Sequence, residues 1–401
     1  MEPSTGNWPT GPTGRFLVTL RDGPIAKSRV LDDSAGLRTA SSMDLPTGAE
    51  LELLDGLNGV VYENVGVAVV DVDPEQEFAL ARALSDQNNP IIAVEPEQYG
   101  HALADLMEGQ ARGIGTPYAD SLYFTWGLQA TGVSTSYASA PDIRVAVLDS
   151  GFDLDHPDFS GRNPLARSFV PGVATVQDGF GHGTHVIGTC CGPRRVSESS
   201  RAYGIANNAP LLVGKVLDDA GGYQDGWVIA GISWALANRA DIISMSLGAF
   251  VFAGMGHVQA YEHIAQKTLA ANSLIIAAAG NTRNSAVYSP ANCPSILAVG
   301  AVDRGLDLAE FSSIGINPNG GEVNLVGPGV DVHSSRPMST RYGMMQGTSM
   351  ATPHVSGCAA LWAQATGLRG RALWEQLRLS ARPLALPAQH GGAGLVQAPQ
   401  G

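Results

Sequence analysis

Cysteine is scarce in this chain of 401 residues: there are four, and two of them, Cys190 and Cys191, are adjacent. That excludes a disulfide-stapled scaffold. No C-x-x-C spacing occurs, which removes the usual zinc-ligand pattern. The thiols read as free and buried, because free cysteine behaves as a small apolar residue. Basic charge is short as well. Lys and Arg number 24 against 37 Asp and Glu, which leaves no basic surface for a nucleic-acid backbone. No apolar run reaches the roughly 18 residues of a membrane span. The start, Met1-Glu-Pro-Ser-Thr-Gly-Asn-Trp-Pro, has neither a basic nor an apolar stretch, so as written it carries no secretory signal. The expectation is a cytoplasmic protein or one exported by a non-classical route. Internal repeats and low-complexity tracts are lacking.

Apolar residues are plentiful at 44%, enough for a sizeable core, and 49 glycines suit a fold with many tight strand-to-helix turns. The length points to two units. Charge divides the chain in the same way: residues 1–117 carry 18 acidic and 7 basic residues, residues 118–401 carry 19 and 17. Residues 1–14, rich in Pro, Gly and Thr, read as a loose tail. Residues 15–103 form a first unit, with strands at 16–20, 65–72 and 91–94 and a helix at 74–87 that opens on Pro74 and acidic residues. The stretch 21–60 has weak periodicity and reads as an inserted loop. Residues 104–117, with Gly109, Gly113, Gly115 and Pro117, read as a linker. Residues 118–398 form the second unit. Its apolar runs at 143–148, 211–216, 242–245 and 274–278 show no alternation and are separated by helical stretches. That pattern predicts an α/β fold with a parallel sheet buried on both faces by helices.

Three segments of the second unit carry chemistry. Val147-Leu-Asp149-Ser-Gly151 puts an aspartate at the end of a buried strand. Gly181-His182-Gly-Thr-His185 puts a histidine just before an apolar helix. Gly347-Thr-Ser349-Met-Ala-Thr-Pro353-His354 puts a serine where a loop enters a helix. A serine hydroxyl needs a base to become a nucleophile at neutral pH. A neutral imidazole is such a base, and a carboxylate orients it and stabilises the imidazolium that forms.

In this order the three segments resemble the signatures of the subtilisin-like serine peptidases, the subtilases, over roughly residues 118–398. The resemblance implies Asp149 as the orienting carboxylate, His182 as general base and acid, and Ser349 as nucleophile in peptide-bond hydrolysis through an acyl-enzyme. Those roles are a worked template for the family, carried over to these positions. Ala277-Ala-Ala-Gly280-Asn281 resembles the oxyanion segment, with Asn281 as donor. Ser244-Met-Ser246-Leu247-Gly248 on one side and Ala278, Ala279 and Gly280 on the other resemble the walls of the primary specificity pocket, which implies an apolar residue before the cleaved bond. Gly221-Gly222-Tyr223 resembles the edge that pairs with extended protein and peptide substrates through the backbone. The first unit resembles the subtilase prodomain, a small α+β ferredoxin-like domain. It would inhibit its own enzyme as a zymogen, threading residues 97–103 through the site, with cleavage between about Tyr99 and Pro117.

No cofactor is implied for the chemistry. Asp158 sits where many subtilases place a calcium ligand, and Asp153, Asp155 and Asp158 read either as a solvated turn or as a structural calcium site. The second loop of that site, residues 191–203, lacks the expected Asn-rich pattern. His185 lies three residues after His182, but without the Glu of a zincin motif it reads as structural, as does His354. An α/β-hydrolase esterase would require G-x-S-x-G and the order Ser, acid, His; here the serine lies in Gly347-Thr-Ser-Met-Ala351 and the order is reversed. A non-catalytic peptide-capture module would not need all four competent residues.

Overall fold

The structure, a computed structural model, describes residues 9–44, 56–103, 105–106, 116–194, 201–283, 285–317 and 320–400. The N-terminal unit runs β1 (Gly11–Leu20), α1 (Lys27–Ala35), β2 (Thr39–Ser41), β3 (Gly59–Tyr62), β4 (Val67–Val70), α2 (Pro74–Leu84) and β5 (Ile91–Ala102). Its strands stand in the order β5-β1-β4-β3-β2. This is a ferredoxin-like arrangement with β2 added at the edge. Val18, Leu20, Val61, Ala68 and Val70 on one sheet face pack against Val30, Leu31 and Leu80 of the two helices. α2 starts as its sequence dictates: Pro74 opens it, and Asp73 and Gln76 cap each other's backbone N–H groups.

Three boundaries differ from the sequence expectation. Gly11–Gly14 belongs to β1 and not to a loose tail, because Thr13 donates to the buried carboxylate of Glu97. Within 21–60, α1 forms around Val30, Leu31 and Ala35, a stripe too short to register among its charged residues; residues 45–55 lie outside the described residues. β5 continues to Ala102, and β6 (Asp105–Leu106) follows within the expected linker; residues 107–115 lie outside the described residues. The extra length arises because both segments pair with strand edges of the second unit, whose backbone groups would otherwise stay unsatisfied.

The second unit begins with α3 (Trp126–Ala130), β7 (Val145–Asp149), β8 (Leu165–Ser168), α4 (His182–Cys191), β9 (Leu211–Lys215), β10 (Gly222–Gln224) and α5 (Asp225–Ala237). It continues with β11 (Ile242–Met245), β12 (Leu247–Gly248), α6 (Gln259–Ala270), β13 (Leu274–Ala278), β14 (Leu297–Val302) and β15 (Leu325–Pro328). β16 (Val332–Ser335), β17 (Tyr342–Gln346), α7 (Thr348–Thr366), α8 (Gly370–Ser380) and α9 (Ala388–Gly391) complete it. A seven-stranded sheet in the order β15-β14-β13-β11-β7-β9-β8 is parallel throughout. Cores on both faces account for the unbroken apolar runs. The strand order reverses between neighbours of β7, and ligands bind at such switch points beyond the carboxyl ends of strands. Asp149, the last residue of β7, lies there. All four cysteines are free and buried. Among the described residues no helix is long and apolar enough to cross a membrane.

Candidate active site

Each of the three candidate catalytic side chains sits at the end of a rigid element. Asp149 ends β7, His182 is the first residue of α4, and Ser349 is the second residue of α7. All three are buried. Asp149 Oδ1 lies 2.7 Å from His182 Nδ1 and also accepts the Ser150 backbone N–H at 2.7 Å. Buried Asp178 fixes the approach: its carboxylate accepts Ser150 Oγ, the Gly181 N–H, and both the N–H and hydroxyl of Thr184. The turn after the acid and the start of the base's helix are thereby held by one group. Lys215, wholly buried, donates to the Ser150 carbonyl at 2.5 Å and to Asp219 at 2.7 Å. It ties the same turn to the loop before β10. Neither Asp178 nor Lys215 was singled out in the sequence, since neither stands in a reactive motif.

Ser349 Oγ donates to the Ser246 carbonyl at 2.9 Å, and His182 Nε2 has no hydrogen-bond partner among the described residues. The Ser349 hydroxyl and the free ring nitrogen of His182 are therefore not hydrogen-bonded to each other here. Catalytic hydrogen bonds commonly close only as the reaction begins.

Asn281 is aimed. Its Oδ1 accepts the Thr348 N–H at 2.9 Å and the Thr348 hydroxyl at 2.8 Å, which turns Nδ2 outward. Nδ2 donates at 2.7 Å to the carbonyl oxygen of Leu103, in the chain's own N-terminal unit. Leu103 is delivered there by backbone pairing. β5 lies antiparallel between β10 and β12, with Tyr223 opposite Gly100, Gly222 and Gly248 opposite His101, and Leu247 opposite Ala102. The Ala102 N–H donates to Gly221 and the Leu103 N–H to Ser246. Beyond residue 104 the chain pairs again, Asp105 with Gln346 and Leu106 with Met345. The backbone is therefore held at residue 103 and again at residues 105 and 106.

The Leu103 side chain is buried against Ala278 and Tyr288. Tyr288 escaped the sequence reading because it lies outside the pocket-wall segments; its ring stacks edge-on with Phe250 at 5.5 Å. Of the expected pocket residues, Leu247 and Ala279 belong to the apolar core beneath the site, and Leu247 also pairs with Ala102 of the bound strand. In a strand every second side chain faces away.

Calcium does not fit at Asp158. Its carboxylate is taken by the Tyr203 hydroxyl at 2.7 Å, the Tyr342 hydroxyl at 2.9 Å and the Arg341 guanidinium at 3.1 Å. An arginine already supplies the positive charge, and no group of three His, Cys, Asp or Glu suited to a metal occurs among the described residues. His185 bonds the Val332 carbonyl, and burial holds its pKa well below the usual value. His354 bonds the Met350 carbonyl, and burial brings it down to about 4.

Carboxylates crowd the contact between the two units. Glu97, clamped by Arg15, accepts the Gly226 N–H at the start of α5, and Glu95 accepts the Gln259 and Ala260 N–H groups at the start of α6. Both meet the positive ends of helix dipoles. Asp225 accepts the Gln98 N–H and the Tyr261 hydroxyl. Burial first, then the nearby charges of Glu97 and Glu95, push its pKa up to about 7. A carboxyl raised on folding contributes stability that is complete below its unfolded pKa, near 4, and is lost as pH rises through about 7. Melting of the Ser349→Ala chain followed from pH 4 to 8.5 should therefore show a loss that the same chain with Asp225→Asn added lacks.

The sequence profile described as the subtilase family matches residues 141–384. Subtilisin NAT of Bacillus subtilis subsp. natto is 37% identical over 306 residues, 75% of this chain and 70% of its own. Subtilisin of Bacillus pumilus is 40% identical over 239 residues, 58% of this chain and 81% of its own. The alkaline protease of Shouchella clausii is 36% identical over 310 residues, 75% of this chain and 76% of its own.

Proposed function

The chain belongs to the subtilase family of serine-type endopeptidases, and from that premise we propose that it is made as a self-inhibited zymogen that cuts its own Leu103–Ala104 bond. Ser349 attacks the Leu103 carbonyl carbon and passes its proton to His182, whose imidazolium is stabilised by Asp149. The negative charge that develops on the carbonyl oxygen is met by Asn281. The proton then goes from His182 to the departing amine of Ala104, and water releases the acyl group by the same steps in reverse. After the cut, β5 still fills the edge between β10 and β12, so the N-terminal unit acts as an inhibitor until it leaves. Protein substrates enter the same edge, with an apolar residue of leucine's size against Ala278 and Tyr288.

The observation that carries this reading is the 2.7 Å hydrogen bond from Asn281 Nδ2 to the Leu103 carbonyl oxygen. It puts a donor on the one atom that gains charge when the bond is attacked. Loss of such a donor costs about 10²–10³ in rate. Asn281→Leu should lower kcat by that factor with KM little changed, because the bond strengthens as charge develops. A kcat within threefold of wild type would remove Asn281 from the role.

A further inference from the structure

Gly100, three residues before Leu103, stands directly opposite Tyr223 in the antiparallel ladder of β5 and β10. Opposed residues project to the same face of the sheet, so whatever residue 100 carried would meet the tyrosine. The meeting leaves no room. A Cβ at residue 100 would lie 2.3 Å from Tyr223 Cζ, 2.4 Å from its hydroxyl oxygen and 2.5 Å from Cε1. Carbon atoms settle at about 3.5–4.0 Å, so even alanine would have to displace the ring. In the full chain the ring is wholly buried, in an apolar core that Val69 of the N-terminal unit shares with Trp227 and Leu247 of the second unit. Its hydroxyl has no hydrogen-bond partner among the described residues, so packing alone keeps the ring over the bare glycine backbone, and of these core residues Trp227 and Leu247 stay after processing.

The opposite situation holds at Leu103, whose side chain has a pocket to enter. Along one bound strand the site offers space at the residue before the cut and denies it three residues earlier.

We infer that Tyr223 is a specificity-determining residue that restricts the fourth position before the cleaved bond to glycine, so that the enzyme selects segments of the form Gly-x-x-Leu. The restriction rests on the proposed cut after Leu103, and the chain's own Gly100-His-Ala-Leu103 satisfies it. Backbone pairing alone would tolerate any residue there; the tyrosine side chain adds the selection.

Two chromogenic peptides test this, Gly-His-Ala-Leu and Leu-His-Ala-Leu, each carrying p-nitroanilide after the final leucine, assayed with the full chain after its own processing. Wild type should favour the glycine peptide in kcat/KM by about tenfold or more, the range a filled pocket gives. Tyr223→Phe keeps the ring and should keep the ratio. Tyr223→Ala should bring the ratio to about twofold or below, chiefly by faster cleavage of the leucine peptide. The ratio is taken within one preparation, so partial misfolding of a variant does not mimic it, and the wild-type ratio stands if Tyr223→Ala does not fold. Equal release from both peptides by wild type would overturn the restriction and leave the proposed peptidase in place. Release from neither would count against the proposed function, and the restriction would fall with it.

Discussion

Ser349→Ala leaves a chain that hydrolyses no peptide substrate and does not process itself. Alanine removes the oxygen that opens the reaction by attacking the Leu103 carbonyl carbon. The rest of the site stays: Asn281 is oriented by Thr348, and His182 by Asp149. Removing the nucleophile of a triad whose members act as a unit costs on the order of 10⁶ in kcat, the figure for subtilisin itself, carried over to a relative. The variant should fold, since Ser349 Oγ makes one hydrogen bond, to Ser246, and the substitution removes the donor while leaving a carbonyl. A turnover within tenfold of wild type, with contaminating protease excluded by a serine-directed probe, would end the assignment.

Asp149→Asn is expected to cost about 10⁴ in kcat while the fold survives. Asparagine is nearly the same shape, and its carbonyl oxygen can still accept both the Ser150 N–H and the His182 Nδ1–H. The negative charge goes. His182 must carry a positive charge at the peak of the reaction, in a place where neither it nor its partner is exposed. Without the carboxylate that charge is uncompensated. Thermal unfolding should stay close to wild type while kcat collapses. A loss of activity matched by an equal loss of folded protein would mean that Asp149 is a structural residue only.

The three residues proposed as the triad stood out in the sequence because each stands at an element boundary with a local signature. Asp149 closes an unbroken apolar run, and His182 and Ser349 open helices behind small residues. Fold class followed from the same non-alternating runs, since only strands covered on both faces can afford them. What stayed hidden depends on partners far away in the chain. The Thr348 hydroxyl that orients Asn281 is 67 positions from it, and Tyr288 becomes a pocket wall only when β5 brings Leu103 to it. Strand β6 is two residues long and exists because β17 offers an edge. Asp158 looked like a calcium ligand on position alone; Arg341 and Tyr342, more than 180 positions later, take its carboxylate. Tyr223 was legible as backbone edge, but the direction of its ring over Gly100 was not.

The most direct test is the intact mass of purified wild type and of Ser349→Ala, before and after overnight incubation. Wild type should lose residues 1–103 as one segment and leave a chain beginning at Ala104, while Ser349→Ala stays at 401 residues. Processing of the alanine variant at the same bond and rate would contradict the account. So would a wild-type chain that remains whole and unlabelled by a serine-directed probe.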